Sequence, residues 1–232
     1  MNKVYRKENK FLISIEEAKK CISKLEKIML QDKNNQSSGY NIRSLYFDTI
    51  NDDDYESKIS GLQLRRKVRL RTYDPNSDFA KLEIKQKDGD YQLKRSLLLK
   101  KEDSCELINQ NYKVLLKYKE PFAAECYGIM NIQCYRPKTI VEYKRKAFIA
   151  KENNIRITFD YDIKTNEVNY NLFDKKLMLN SAFNESNVVL EVKYDGFLLS
   201  YIKDAINSIN RSQTQVSKYC LARKIEKYYI YT

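Results

Sequence analysis

Apolar residues recur along this chain at two spacings, and the switches between them predict its elements. Val4–Ile13 alternates and predicts a first strand. Ser14 with Glu17 three residues later has capping-box spacing, and Ile15, Ala18, Ile22, Leu25 and Ile28 then follow a helical period. Asp32–Gly39 is polar and reads as a loop. Tyr40–Asp48, rich in aromatic and β-branched residues, reads as a strand, and acidic Asn51–Tyr55 as a short turn or helix. Leu64–Tyr73, Ala80–Lys87 and Tyr91–Leu99 alternate, with Asp88-Gly89 marking a hairpin between the last two. Glu102–Met130 has helical spacing interrupted by Pro121, so one or two helices are expected. Thr139–Ile149, Ile155–Tyr161 and Val188–Tyr194 return to strand, with a turn at Asn153-Asn154. Phe197–Ile209 is an amphipathic helix, and a further helix runs from Ser217 towards Lys227. The expectation is a single domain over residues 1–232, with a helical insertion near 102–131 and C-terminal helices near 197–228.

Composition narrows the chemistry. The 232 residues carry 43 Lys+Arg against 31 Asp+Glu, a formal net charge of +12, and no histidine. Imidazole acid/base catalysis and Ser-His-Asp or Cys-His nucleophiles are therefore excluded, and so are zinc sites that need imidazole. The basic balance favours an anionic partner. Cys21, Cys105, Cys126, Cys134 and Cys220 are odd in number and scattered, which points to a reducing cytoplasm rather than a disulfide framework. The start, MNKVYRKENKF, is too charged for a signal peptide, and no run approaches the apolar length of a membrane span. The expected location is cytoplasmic.

Charge falls on one face of strand after strand. Arg65, Lys67, Arg69 and Arg71 alternate, as do Lys81, Glu83, Lys85 and Lys87. Arg6, Glu8 and Lys10 share a face, as do Glu191 with Lys193, and Arg156, Thr158 and Asp160. Tyr143 and Arg145 share theirs with Val141 and Ala147. The opposite faces are apolar: Val68 and Leu70, Leu82 and Ile84, Leu190 and Val192, Ile155, Ile157 and Phe159. One arrangement is an ordinary antiparallel sheet with its polar face in water. The other is a closed barrel whose wet lumen holds a polyanion and a divalent metal. The interleaved carboxylates favour a metal and phosphates over nucleic acid, because a DNA or RNA groove gains nothing from glutamate.

The stretches RKENKFLI, IRSLYFDT, RRKVRLRTY, LEIKQK, VEYKRKAF, IRITFD, LEVKYDG and VSKYCLAR resemble, in order, the VTC domain, the polyphosphate polymerase module of the triphosphate tunnel metalloenzyme superfamily. They span Arg6 to Arg223. The resemblance implies an α+β fold: a closed antiparallel β-barrel, or tunnel, with a charged lumen and helices packed outside. It implies transfer of the γ-phosphate of ATP to a growing inorganic polyphosphate chain, with Mn2+ or Mg2+. ATP and polyphosphate are thus the expected partners, with no nucleic acid and no membrane span in this chain. Carried over by position, Lys10, Arg69, Arg71, Lys85, Arg145 and Arg156 are the phosphate-binding cations of catalysis. Glu191 is the metal ligand, and Ser217 and Lys218 are C-terminal phosphate contacts.

Other residues stay open between two readings. Glu8 and Glu83 are metal-site carboxylates or charge balance. Arg65 and Lys67 are phosphate-binding cations at the tunnel mouth or solvated charge. Glu191 has a structural ion pair with Lys193 or an arginine as its alternative to metal ligand, and Lys193 is a further phosphate contact. The facing of Lys94 and Arg95, adjacent in one strand, is undecided. Gln215 stands where family members often carry a basic residue, so one chain contact is in question. The alternatives to a polymerase are a tunnel triphosphatase acting on nucleoside triphosphate or tripolyphosphate, and a non-catalytic polyphosphate-binding module. A nucleic-acid binder is supported by net charge alone.

Overall fold

Alternating segments become strands and 3.6-period segments become helices. In chain order these are β1 (Arg6–Ser14), α1 (Ile15–Leu25), β2 (Leu30–Gln31), β3 (Tyr40–Asp48), α2 (Asp53–Ile59), β4 (Leu64–Thr72), β5 (Phe79–Asp88) and β6 (Tyr91–Lys100). They continue with α3 (Lys101–Ile108), α4 (Pro121–Ile132), β7 (Arg136–Ala150), β8 (Ile155–Asn166), β9 (Asn180–Ser181), β10 (Asn187–Asp195), α5 (Ser200–Asn207) and α6 (Lys218–Ile230). The structure is a computed structural model and describes residues 6–89, 91–182, 186–207, 209 and 216–230, with backbone alone for 6 and 225–230. Gln215, and the Val4–Tyr5 start of the expected first strand, lie outside the described residues.

The capping box at the start of α1 is present: Glu17 N–H donates to Ser14 Oγ at 3.2 Å, and Ser14 N–H donates to Glu17 Oε2 at 2.9 Å. Pro121 does not break a helix; it opens α4 in the first turn, where its missing N–H costs nothing. Between α3 and α4 lies a 3-10 turn, Tyr112–Lys117. Asn153 and Asn154 both take positive φ, 51° and 46°, in the turn from β7 to β8.

The strands form a large antiparallel sheet in the order β1-β10-β8-β7-β3-β4-β5-β6. This order corrects the expected closed barrel. Among the described residues the path is open, with β1 and β6 each paired on one side only. Among the described residues the charged positions therefore lie on strands of an open sheet, and no hydrogen-bonded barrel encloses them. The physical reason is that alternation assigns faces but does not encode closure, which needs the two end strands to pair in a fixed stagger. The first half of β6 (Tyr91–Lys94) is exposed throughout and carries lysine, as open edges do.

The chain divides into two compact units. The first comprises Met1–Asn41, Tyr143–Ile163 and Phe183–Ser217. Its core packs Ile13, Ile155, Ile157, Phe159, Val188, Leu190 and Val192 from the sheet against Ala18, Cys21 and Leu25 of α1 and Ile202, Ala205 and Ile206 of α5. The loop before β3 is drawn tightly onto β7. A side chain at Gly39 (φ +84°) would place its Cβ 2.3 Å from the Arg145 carbonyl oxygen, so only glycine fits. The second unit comprises Ile42–Glu142, Lys164–Ala182 and Lys218–Thr232. Its core packs Leu45, Phe47, Val68, Leu70, Leu82, Ile84, Leu97 and Leu99 against Leu107 of α3, Leu115 and Ala123, Cys126 and Met130 of α4. In each unit helices pack against the apolar face of its strands. All five cysteines are free. Among the described residues no helix is long and apolar enough to cross a membrane.

Candidate functional site

In the second unit β4 runs between β3 and β5, and register stacks the cations in rows. Lys67 faces Lys85, and Lys85 faces Lys94; Arg65 faces Lys87; Arg69 faces Glu83. Arg71 faces Ser44 of β3, and Arg69 faces Tyr46. Glu83 sits at the centre, with its side chain 4% exposed. Arg69 Nε donates to its Oε2 at 2.7 Å, Arg71 Nη1 lies 3.7 Å from the same oxygen, and Lys94 Nζ pairs with Oε1. Burial alone would raise this carboxyl, but Arg69, Arg71 and Lys94 outweigh it and hold the pKa at about 2. Glu83 is thus fully occupied as countercharge to three cations.

Tyr46 completes this face. Its ring is 5% exposed, and Arg69 Nη1 donates to its hydroxyl at 3.2 Å. Burial pushes the phenol up, but Arg69, Lys67 and Arg71 pull it down further, to about 8. Tyr46 stacks on Tyr219 with ring centroids 5.2 Å apart. Tyr219 also donates to Asp48 Oδ2 at 2.5 Å, which fixes the first turn of α6. Asp48 is fully buried and accepts as well from the N–H groups of Thr49, Asp54 and Tyr55. Arg223 Nη2 donates to Asp52 Oδ2 at 2.8 Å, a second anchor for α6. Lys218 is the first residue of that helix, and Ser217, which is buried, precedes it.

In the first unit the pairing of β1, β10 and β8 brings Lys10 opposite Glu191 opposite Thr158, and Glu8 opposite Lys193 opposite Arg156. Lys10 Nζ lies 2.8 Å from Glu8 and 3.8 Å from Glu191; Lys193 Nζ lies 2.5 Å from Glu191 and 3.9 Å from Glu8. Two carboxylates and two ammonium groups therefore form one network. Burial disfavours the Lys10 charge, but Glu191, Glu8 and Asp160 more than restore it and raise its pKa. Arg145 makes a two-pronged pair with the fully buried Asp160, Nε to Oδ1 at 2.6 Å and Nη2 to Oδ2 at 2.7 Å. Burial opposes the Arg145 charge, and Asp160 overrides it and drives the pKa up. Arg156 Nη2 lies 2.7 Å from Asp32 of the loop after β2 and donates to Tyr40 at 3.1 Å.

The candidate residues thus fall into two clusters. Arg65, Lys67, Arg69, Arg71, Glu83 and Lys85 are on the face of β4 and β5 in one unit. Lys10, Glu8, Glu191, Lys193, Arg145 and Arg156 belong to the other. Glu8 and Glu191 meet in the first unit, and Glu83 of the second unit lies among arginines.

A divalent metal can be tested against these donors. Among the described residues no group of three or more Asp, Glu or Cys side chains converges. Glu8 and Glu191 do offer hard oxygens on neighbouring strands, each within 4 Å of Lys10 and Lys193. Thr158, opposite Glu191, has a buried Oγ1 with no hydrogen-bond partner. This donor set fits Mg2+ or Mn2+, which bind through one or two carboxylates and complete their shell with substrate phosphates and water.

Sequence reasoning left out Tyr46, Asp48 and Tyr219, left the facing of Lys94 undecided, and put Asp160 on the Arg156 face without a role. Lys94 was accessible from hairpin arithmetic, since a β5–β6 hairpin closed by Asp88 opposite Tyr91 places Lys94 opposite Lys85. The aromatic and Asp48 contacts join segments up to 171 residues apart and had no local signal.

Three solved structures share the fold over nearly their full length. A candidate adenylyl cyclase from Hippeastrum, described as having a dominant triphosphatase activity, is 14% identical, with 94% of each chain covered and a TM-score of 0.57. A candidate adenylate cyclase from Bacillus halodurans is 13% identical, with 97% of this chain and 99% of that one covered and a TM-score of 0.54. One from Vibrio parahaemolyticus is 10% identical, with 95% and 98% covered and a TM-score of 0.52. Comparison with curated proteins finds no match. The VTC domain model matches residues 5–227. Eight motifs in order, a basic face built on β4–β6 and a match over nearly the whole length agree, and the chain belongs to the VTC domain family.

Proposed function

We propose that this chain is a polyphosphate polymerase that transfers the γ-phosphate of ATP to a growing inorganic polyphosphate chain. The observation that carries the reading is the row of Lys67, Arg69, Arg71, Lys85 and Lys94 on one face of three paired strands, with Arg69, Arg71 and Lys94 gathered on a single buried carboxylate. That density of fixed cations suits a chain of linked phosphates. Arginine grips phosphate oxygens in pairs, and lysine supplies a compact charge.

In the proposed reaction a terminal phosphate oxygen of the chain attacks the γ-phosphorus. The bond from that phosphorus to the β–γ bridging oxygen breaks, and ADP departs. The attacking oxygen is already anionic near neutral pH, so no general base is required and a chain without histidine loses nothing. Arg69 and Arg71, held at fixed positions by Glu83, would bind and orient phosphate oxygens. Arg145 and Arg156, each held by an aspartate, would do the same in their unit. Glu8 and Glu191 would hold a divalent metal, which supplies charge neutralisation on phosphate oxygens when bound. Lys218 and Ser217, at the start of the anchored α6, are proposed as further phosphate contacts.

A triphosphatase, in which water replaces the chain end, is the second reading; the description of the Hippeastrum protein favours it, although only the fold is shared. The test is purified protein with ATP and Mn2+, assayed for polyphosphate and free phosphate. Chain growth supports the polymerase, phosphate alone supports the triphosphatase, and neither product overturns both.

A further inference from the structure

Arg69 is held from both sides of its strand. β4 runs between β3 and β5, and register places Tyr46 of β3 and Glu83 of β5 opposite it. Glu83 Oε2 accepts from Arg69 Nε at 2.7 Å, and the Tyr46 hydroxyl accepts from Nη1 at 3.2 Å. A guanidinium only donates, so the tyrosine oxygen acts here as an acceptor. One acceptor would let the planar group swing about that bond; two acceptors on flanking strands fix its plane. The Arg69 side chain still keeps 22% of its surface exposed, which leaves it open to an incoming phosphate.

Tyr46 is itself fixed. Its ring stacks on Tyr219 of α6, with centroids 5.2 Å apart and planes 22° from parallel, and Tyr219 meets the Tyr55 ring of α2 edge-on. A phenylalanine would make the same stack. Only the hydroxyl reaches Arg69, and a buried hydroxyl needs such a partner. That partner is a cation of the proposed site and not a group of the apolar core.

We propose that Tyr46 is a positioning residue of the phosphate site: its hydroxyl accepts from Arg69 and, with Glu83 on the other side, sets the plane in which that guanidinium meets a phosphate. This role rests on the reading of the β4–β6 face as a phosphate site.

The role carries a pH limb. Arg69, Lys67 and Arg71 of β4 hold the phenol at about 8 against its burial. Above that pH a phenolate would replace phosphate as countercharge to Arg69, so ATP should bind less well as pH rises. Around it, Tyr219 is pushed up by burial and by Asp48 of the Tyr46 strand, Glu83 titrates far below, and Arg223 of α6 stays charged. Lys94, lowered by burial, would lose charge on the same alkaline side, and Tyr46→Phe separates the two contributions.

The test follows ATP affinity by calorimetry and kcat/KM, both with Mg2+, from pH 7 to 9.5, beside thermal melts, for wild type, Tyr46→Phe and Tyr219→Phe. Wild-type affinity and kcat/KM should fall about tenfold between pH 7 and 9, since phosphate binding and loss of the phenol proton oppose each other reciprocally. Tyr46→Phe should stay folded, start about tenfold lower at pH 7 and fall less than about threefold over the same range. Tyr219→Phe, which loosens α6 but keeps the Tyr46 hydroxyl, should retain the wild-type limb. A wild type that neither binds nor turns over ATP overturns the phosphate reading and this role with it. Wild-type affinity that stays flat with pH overturns the role alone, whether or not Tyr46→Phe folds. So does a Tyr46→Phe protein with the wild-type affinity and limb, or a limb lost equally in Tyr219→Phe.

Discussion

Arg69 and Glu83 face each other across β4 and β5, Nε to Oε2 at 2.7 Å, and the same carboxylate holds Arg71 and Lys94. The carboxylate occupies the place among these cations that a phosphate would suit, and it keeps them gathered in the meantime. Glu83→Gln should therefore lower stability by about 1–3 kcal/mol in the absence of ligand, because three cations lose their shared countercharge. Added tripolyphosphate should restore the loss, giving a larger ligand-induced rise in Tm than in wild type. Thermal melts with and without tripolyphosphate check this; equal ligand-induced rises would remove Glu83 from the phosphate-binding face.

The same residue predicts an acid limb. Its folded pKa, about 2, lies below the ordinary glutamate value, so its stabilising contribution is complete above that ordinary value. The contribution is lost as pH falls from near 4.5 through about 2. Urea unfolding of wild type and Glu83→Gln between pH 5 and 2 should show the two curves converging as the pH drops.

Tyr46 should titrate near pH 8, well below its ordinary value of 10.0, because Arg69, Lys67 and Arg71 together outweigh its burial. The Tyr46→Phe difference spectrum should isolate one phenolate signal in that range. Bound tripolyphosphate neutralises those cations and adds negative charge, so it should push the titration back up. A signal unmoved by tripolyphosphate would place the ligand elsewhere.

Arg145→Lys keeps the charge but cannot reproduce the two-pronged grip on Asp160. If Arg145 is aimed at phosphate by that grip, turnover should fall about 100-fold or more with the fold retained. Steady-state assay with ATP and Mn2+ beside a thermal melt distinguishes lost positioning from lost stability.

Tyr219→Phe removes one of four donors from the buried carboxylate of Asp48 while keeping the stack on Tyr46. Stability should fall by about 1–2 kcal/mol. Hydrogen exchange should rise in α6 more than in β4 or β5, since this bond fixes the helix's first turn.

Much of this was legible in the chain. The alternation that buries Val68, Leu70, Leu82 and Ile84 is the same pattern that puts Arg69 and Glu83 on the other face. The Ser14–Glu17 box marks α1, because capping is a local interaction. Closure of the sheet was not legible, because Tyr91–Lys94 would read the same as an edge or as a paired strand. Nor was the Tyr46–Tyr219–Asp48 contact, which depends on where a C-terminal helix packs. The family's order of motifs suggested the chemistry of individual residues, whereas the capture of Glu83 by Arg69, Arg71 and Lys94 depends on three strands coming together in register.

Gly39 has a consequence for how the chain can change in length. Surface loops ordinarily absorb insertions and deletions. Here the segment before β3 is pinned by Gly39 against the Arg145 carbonyl, by Asp32 on Arg156 and by the Ser38 carbonyl on the Tyr161 hydroxyl. A residue gained or lost between 32 and 39 cannot bulge outward without releasing one of these pins, and two of them bear on arginines proposed to hold phosphate. Loop length at this position behaves as part of the site's calibration, and variation in it should be as restricted as variation in the arginines themselves.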